Sequence, residues 1–268
     1  MTCGMDEATK GQVVASAAQV YDEFFLPALF QQFAVPVADV ARVRPGNQVL
    51  DAACGTGVVA LELLRRVGPS GRVVGLDINP GMLNIARTKS DNIVWREGDV
   101  ERLPYRAGEF DAVTCQFGLM FFPDQAKAIA EMVRVLKPGG RLVVSVWDGL
   151  ASSPGYDDMV RLLDELFGKE IADALRAPFV LGDRHRFGQV LRSGGAQNIE
   201  IQTVPGVARF PSLERWVETD IKGWTLAELI DDAQYARLQE AAQTWLSRHV
   251  RDDGVAFATP AHVAVVTK

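Results

Sequence analysis

The chain has 268 residues, 48% of them hydrophobic, and a formal net charge of −6, which suits one large α/β domain or a domain carrying a sizeable insertion. Both signs of charge are spread along it without a basic block, which argues against nucleic acid binding through a general electrostatic footprint. No apolar run approaching the ~20 residues of a bilayer span stands out, and the opening MTCGMDEATKGQ lacks a charged-then-apolar signal pattern, so a cytoplasmic monomer or homodimer without a membrane span is expected.

Residues 8–42 predict helix, with Val14, Ala17, Ala18, Tyr21, Phe24 and Phe25 at helical spacing. Pro27 and Pro36 are expected to break this segment into pieces, and Pro45-Gly46 marks a turn. Strands and helices then alternate. QVLDAA predicts a strand, TGVVALELLRRV a helix, GRVVGLDI a second strand, and Pro80 opens a second helix where proline is tolerated. NIVWREGD and FDAVTCQFGL predict strands three and four. DQAKAIAEMVRVL predicts a helix ended by a Lys137-Pro138-Gly139-Gly140 turn, and RLVVSVW a fifth strand. Apolar strands alternating with helices predict a doubly wound, mostly parallel sheet covered on both faces.

After Trp147 the rhythm changes. Residues 151–177 predict helix, with Met159, Leu162, Leu163, Leu166 and Phe167 on one face. HRFGQVLRSGG predicts a short helix with a glycine cap. NIEIQTV alternates like a strand, 212–250 read as helix, and AHVAVVTK closes the chain as a strand. The expected organisation is three parts. Residues 1–46 form N-terminal helices. Residues 47–205 and 259–268 form a seven-stranded α/β core with a helical insertion at about 151–182, and 206–258 form a helical cap before the last strand.

In an open α/β sheet, ligands bind beyond the carboxyl ends of the strands. The chemistry-bearing residues fall at those ends: Asp51 and Gly55 after the first strand, Asp77 after the second, Asp99 after the third, Gln116 after the fourth and Trp147 after the fifth. Gly55 and Gly57 allow a tight turn and close backbone approach, and the next helix offers free N–H groups to a carboxylate or phosphate. Ala60 stands where a dinucleotide G-x-G-x-x-G would place its third glycine, which weighs against a nicotinamide enzyme. Asp77 lies about two dozen residues beyond the loop, where an acid commonly accepts from ribose hydroxyls. Asn79 is the better helix cap, which leaves Asp77 for a ligand.

The segments VLDAACGTG, GLDINPGML, EGDVERLPYRAGEFDAV, CQFGLMFFPD and VLKPGGRL together resemble the class I S-adenosylmethionine-dependent methyltransferases. They are most similar to the small-molecule methyltransferases related to the ubiquinone/menaquinone C-methyltransferases. The resemblance covers about Val49 to Trp147. It implies S-adenosyl-L-methionine as cofactor, S-adenosyl-L-homocysteine as product and a small organic acceptor methylated at oxygen, carbon or nitrogen. It also implies a Rossmann-like fold. By the same resemblance, Asp51, Ala53, Gly55, Thr56 and Gly57 form the loop against the methionine part. Asp77 takes the ribose, and Ile78 and Met82 flank the adenine. Gly98, Asp99 and Val100 face its edge, and Gln116 sits beside the methionyl group. Tyr21, in helices that cover the cofactor in relatives, is a candidate donor to the methionine carboxylate. Ala53 replaces a frequent glycine, which is tolerable if its backbone keeps a negative φ.

Methyl transfer needs positioning and exclusion of water rather than a covalent intermediate, so the absence of a convincing triad is expected. His185 and His249 are weak candidates for a base; His262 reads as structural. Phe117, Met120, Phe121, Trp147, Phe179, Trp216 and Trp224 are candidates to line an apolar or aromatic acceptor pocket. The three cysteines and three histidines show no metal-ligand spacing, so no metal is expected. The competing expectations are a protein that binds or senses the cofactor without turnover and, less favoured, an NAD(P)-dependent oxidoreductase.

Overall fold

A computed structural model describes residues 18–222, 226 and 229–268. A helix, Ala18–Ala41 (α1), leads into β1, Gln48–Ala52. There follow α2 (Val58–Val67), β2 (Arg72–Asp77), α3 (Pro80–Lys89), β3 (Ile93–Glu97), β4 (Phe110–Gln116), α4 (Gln125–Val135) and β5 (Leu136–Trp147). Helices α5 (Pro154–Phe167), α6 (Lys169–Arg176) and α7 (Arg184–Ser193) precede β6 (Ile199–Val204). The remaining elements are β7 (Val207–Phe210), α8 (Leu213–Lys222), α9 (Asp232–Trp245), β8 (Val250–Arg251), β9 (Gly254–Ala258) and β10 (Ala261–Thr267).

The main sheet has the order β3-β2-β1-β4-β5-β10-β6, and β10 runs antiparallel to both its neighbours. The chain reverses direction across the sheet between β1 and β4, which pair in parallel, so the ends of these two strands open the crevice where a ligand is expected. Alternation along the strands divides the core. Val49, Val73 and Val143 pack with Val37, Ala38 and Ala41 of α1 and Leu63 and Val67 of α2. Leu50, Val74 and Leu142 face the other way, in the cluster that holds Ile129 and Met132 of α4 and Phe187 of α7.

Four expectations need correction. Pro27 and Pro36 do not divide the first segment: both lie inside helix, and Tyr21–Phe30 takes π-helical geometry around Pro27. Each proline costs roughly 3 kcal/mol in a helix interior, which burial of Phe25, Leu29, Phe30 and Phe33 offsets at about 2 kcal/mol per large side chain. The resulting helix is long and apolar enough, by length and composition, to cross a membrane, so an apolar stretch of that length does exist; here those four side chains sit in the protein core. Lys137–Gly140 is not a turn ahead of β5 but its first part. Gly139, at φ 76°, lets this end of the strand exchange backbone hydrogen bonds with Lys268. The segment 206–258, read as helical, also carries a three-stranded antiparallel sheet, β7-β9-β8; its short strands bracket the helices and are too brief to show a period.

Candidate functional site

Asp51, at the end of β1, is buried and fully engaged. Its carboxylate accepts from Thr114 Oγ1 at 2.7 Å and from the Ala60 backbone N–H at 3.0 Å. Burial pushes its pKa up to about 7, against the pull of those two donors. It therefore ties β1, β4 and the start of α2 together and has little freedom to contact a ligand. Thr114 was not singled out from the sequence; a threonine two residues before the end of a buried strand carries no signal until its partner is known.

The loop after Asp51 departs from expectation at Ala53, whose φ is +54°, not negative. Left-handed backbone costs an alanine about 1–2 kcal/mol, and it is held here by hydrogen bonds on both sides: Cys54 N–H to Leu76 O at 3.0 Å and Gly57 N–H to Cys54 O at 2.9 Å. Room for the Ala53 methyl comes from Gly118, where a Cβ would lie 2.7 Å from it. Gly55 and Gly57 have φ of +54° and +91°. Gly57 is required for a second reason, because a Cβ there would run into the Trp95 ring. The space at Gly55 opens toward Tyr21, whose ring and hydroxyl lie 4.0 Å from where its Cβ would be.

Asp77 closes this loop from β2. One carboxylate oxygen accepts from Gly55 N–H and the other from Asn79 N–H, both at 2.8 Å. Burial raises its pKa and these backbone donors oppose the rise. Asn79 caps α3, accepting from the N–H groups of Gly81 and Met82. Ile78, beside Asp77, is 64% exposed although large and apolar, while Met82 is buried. Gly98 donates to Asp77 O at 3.0 Å, so the end of β3 is pinned to the same acid's backbone. Asp99 is exposed and caps the Val100–Arg102 turn through Glu101 N–H at 2.8 Å; Val100 is buried.

Gln116, at the end of β4, donates weakly to Phe30 O at 3.3 Å. Its Oε1 and the Thr56 hydroxyl are buried with no hydrogen-bond partner among the described residues. Leaving such an atom unpaired costs about 1–3 kcal/mol. These orphaned atoms, an exposed apolar Ile78 and the carboxylate of Asp77 suit a ligand that is polar along one side and carries a flat apolar group. An adenosine linked to an amino acid is such a ligand. Tyr21 packs on Phe30 with ring centroids 5.2 Å apart; burial and the nearby charges of Asp77, Asp22 and Asp51 push its hydroxyl well above the usual range, so it stays a neutral donor. Asp22 pairs with Lys89, fastening α1 to α3.

Of the acceptor-side residues, Phe117, Trp147 and Phe179 meet. Phe117 stacks on Trp147 at 4.0 Å, and Trp147 contacts Phe179 at 6.5 Å. Phe117 has a φ of +55°, a second strained position at a strand end. Phe30 and Phe33 join this cluster, each 5.6 Å from Trp147. Met120 is buried and Phe121 half-buried in the turn after β4. Trp216 is fully buried, stacked on Phe210 and 4.7 Å from Phe257, in the core between the 206–258 segment and Tyr156 of α5 rather than lining an opening. Trp224 lies outside the described residues.

Neither candidate histidine sits at the strand ends. His185 is exposed in the first turn of α7 and shares a surface groove with Arg192 and Ile201, beside the edge strand β6. His249 is buried, and its Nε2 lies 2.7 Å from Asp158, which also accepts from Arg248 at 2.6 Å. It is a strut between cap and α5, not a base. His262 is structural as expected, bridging Thr203 Oγ1 and Gly182 O at 3.0 Å each. Among the described residues no group of three or more His, Cys, Asp or Glu could hold a metal ion.

Comparison with known proteins places this geometry. Solved structures share the fold at low identity. The YcgJ protein of Bacillus subtilis superposes with a TM-score of 0.60 at 18% identity, covering 88% of this chain and 98% of that one. A Haemonchus contortus phosphoethanolamine N-methyltransferase complexed with S-adenosylhomocysteine does so at 0.61 and 17%, over 95% of this chain and 57% of that one. The [4+2]-cyclase SpnF matches at 0.57 and 18%, over 97% and 98%, so the fold alone does not fix the chemistry. In sequence, the chain is 40% identical over 154 residues to the ubiquinone/menaquinone biosynthesis C-methyltransferase UbiE of Pseudomonas paraeruginosa, covering 54% of this chain and 59% of that protein. It is 34% identical over 179 residues to the demethylmenaquinone methyltransferase of Staphylococcus carnosus, covering 62% and 74%. The chain thus spans about three-fifths of the Pseudomonas relative's length. The family model matches residues 4–159, and the chain belongs to the ubiE/COQ5 methyltransferase family.

Proposed function

We propose that this chain transfers a methyl group from S-adenosylmethionine to a small, apolar or aromatic organic acceptor. The single observation that carries the reading is the joining of Asp77 to Gly55 by a 2.8 Å hydrogen bond, beside the orphaned polar atoms of Thr56 and Gln116, in a chain of this family. When bound, the cofactor supplies an electrophilic methyl group on a positively charged sulfur. The residues of the chain do the rest. Asp77 keeps a free lone pair on each carboxylate oxygen for the ribose hydroxyls. Gly55 and Thr56 face the amino acid part, with the Tyr21 hydroxyl as a further donor. Ile78, Met82, Val100 and Asp99 surround the base. Gln116 marks the boundary between donor and acceptor sides.

Phe117, Trp147 and Phe179 then form the acceptor wall, with Met120 and Phe121 at its edge. Such a wall excludes water and holds a planar acceptor in line with the methyl group. Of the described residues, those within 206–258 act as the lid of that side and 18–46 as the cover of the donor side. The packing of α1 side chains in the core supports a helix held within the protein rather than in a bilayer, and the protein is read as a cytoplasmic one. Isothermal titration calorimetry with S-adenosylhomocysteine and with NAD tests the proposal. Binding of the first and not the second is expected; the reverse would overturn it.

A further inference from the structure

Helix α1 touches two parts of the molecule at once. On one side it meets the strand-end loops. The Tyr21 ring lies by Gly55, Asp22 pairs with Lys89 of α3, and Phe30 O accepts from Gln116 at 3.3 Å. On the other side it meets the segment after β6, and the main polar contact there is Gln32. Its Nε2 donates to Val207 O at 3.1 Å, and its Oε1 accepts from Val207 N–H at 2.9 Å. β7 is an edge strand of its sheet, and such an edge presents N–H and C=O groups with no strand beside them. A glutamine amide offers both a donor and an acceptor, so Gln32 stands in for the next strand. Its Nε2 also donates to Leu29 O at 2.7 Å, which fixes the amide in this orientation although Gln32 is exposed. Two contacts flank it. The Arg215 guanidinium of α8 lies 4.7 Å over the Phe24 ring, and a Cβ at Gly206 would run into the Phe33 ring. Phe33 in turn meets Phe117 at 5.3 Å and Trp147 at 5.6 Å.

We propose that Gln32 is a positioning residue that couples the donor side to the acceptor side: a donor held under Tyr21 orders α1, and α1 orders 207–222 through Gln32. This rests on the methyltransferase reading above. Gln32 meets neither ligand and acts through the helix that carries it. The coupling needs a second state, in which the edge of β7 has let go of α1. That state is within reach, because the hydrogen bonds of an exposed glutamine exchange for bonds to water at small net cost. The buried Phe30 and Phe33 keep α1 itself in the core. A donor that engages Tyr21 holds the start of α1 in place and so favours the state in which Gln32 meets Val207. By linkage the effect is reciprocal: an ordered lid tightens donor binding by the factor by which the donor favours the ordered lid. The acceptor side then closes against water once the donor is present, when exclusion of water matters to the reaction.

The test is hydrogen–deuterium exchange on the full chain and its variants Gln32→Met and Gln32→Ala, with and without S-adenosylhomocysteine, beside calorimetry with the same ligand. Both substitutions keep good helix formers at an exposed position. In the wild type, S-adenosylhomocysteine is expected to slow exchange about tenfold in peptides from 21–30 and also from 213–222, a stretch that contacts neither Gln32 nor the donor side in the proposed reading. In both variants the slowing at 21–30 is expected to stay, the slowing at 213–222 to drop below about threefold, and affinity to weaken by about two- to fivefold. A Gln32 that merely stabilised the fold would change exchange equally with and without the ligand. A wild type that binds S-adenosylhomocysteine with no slowing at 213–222 overturns the coupling, and slowing at 213–222 without any at 21–30 overturns its passage through α1. Variants that keep the whole slowing at 213–222 overturn the role of Gln32. Failure of S-adenosylhomocysteine to bind the wild type instead overturns the reading on which the coupling rests.

Discussion

Gly55 donates its backbone N–H to Asp77 at 2.8 Å, which makes the loop after the first strand and the acid ending the second a single unit. Asp77 therefore shapes the loop, and the proposed reading gives it the ribose of the donor as well. Asp77→Ala is expected to weaken S-adenosylhomocysteine binding by about 2 kcal/mol, the scale of a hydrogen bond to a charged group. Calorimetry on variant and wild type measures it, and unchanged affinity would remove Asp77 from the donor site.

Ala53 and Gly118 form a second linked pair. A methyl at position 118 would fall 2.7 Å from the Ala53 methyl and 3.2 Å from Cys115 Sγ. Gly118→Ala should destabilise the fold by about 1–3 kcal/mol through overpacking. In an Ala53→Gly background the same substitution should cost about 1 kcal/mol less, because one of the two clashes is gone. Urea denaturation of the four proteins gives the coupling; strict additivity would show that the two methyl groups do not compete.

The first loop also marks how far sequence reading reaches. The acids and glycines at the strand ends stood out because each ends an apolar run at a place where α/β sheets bind ligands. The backbone state of Ala53 did not, since alanine ordinarily avoids φ of +54° and only the glycine across the crevice makes room for it. Pro27 read as a break because proline ends isolated helices; a buried π-helical segment absorbs it. Trp216 read as a pocket residue by type, but two of the rings it packs on lie six residues before it and forty-one after, at Phe210 and Phe257. Tyr156 and Asp220, which share a 3.4 Å hydrogen bond between α5 and α8, carried no signal for the same reason: nothing in either local pattern says that the two would meet.

Stability should fall as pH rises across the neutral range. Asp51 and Asp220 move from an ordinary 3.8 to about 7 and about 8, so the native state binds more protons than the unfolded chain between those limits. Their contribution is complete below about pH 4 and declines until about pH 8. Chemical denaturation between pH 5 and pH 8 should show this decline, on the order of a few kcal/mol, with a shallower slope in Asp220→Asn. A rise in stability over the same range would contradict the burial of these acids.

The two histidines should separate cleanly. His185→Ala, on an exposed turn, should change stability by no more than about 0.5 kcal/mol and leave methyl transfer unaltered. His249→Ala withdraws a partner 2.7 Å from the buried Asp158 and should destabilise by about 1–3 kcal/mol while leaving S-adenosylhomocysteine affinity within twofold. Thermal melts and calorimetry distinguish the two; loss of turnover in a fully folded His185→Ala protein would restore that residue as a catalyst.

The most direct measurement is a crystal structure of the chain with S-adenosylhomocysteine. The ribose hydroxyls are predicted on Asp77, the adenine between Ile78 and Met82, and the sulfur beside Gln116 facing Phe117 and Trp147. A ligand bound away from the ends of β1 and β2, or one that leaves Asp77 without a contact, would contradict the account.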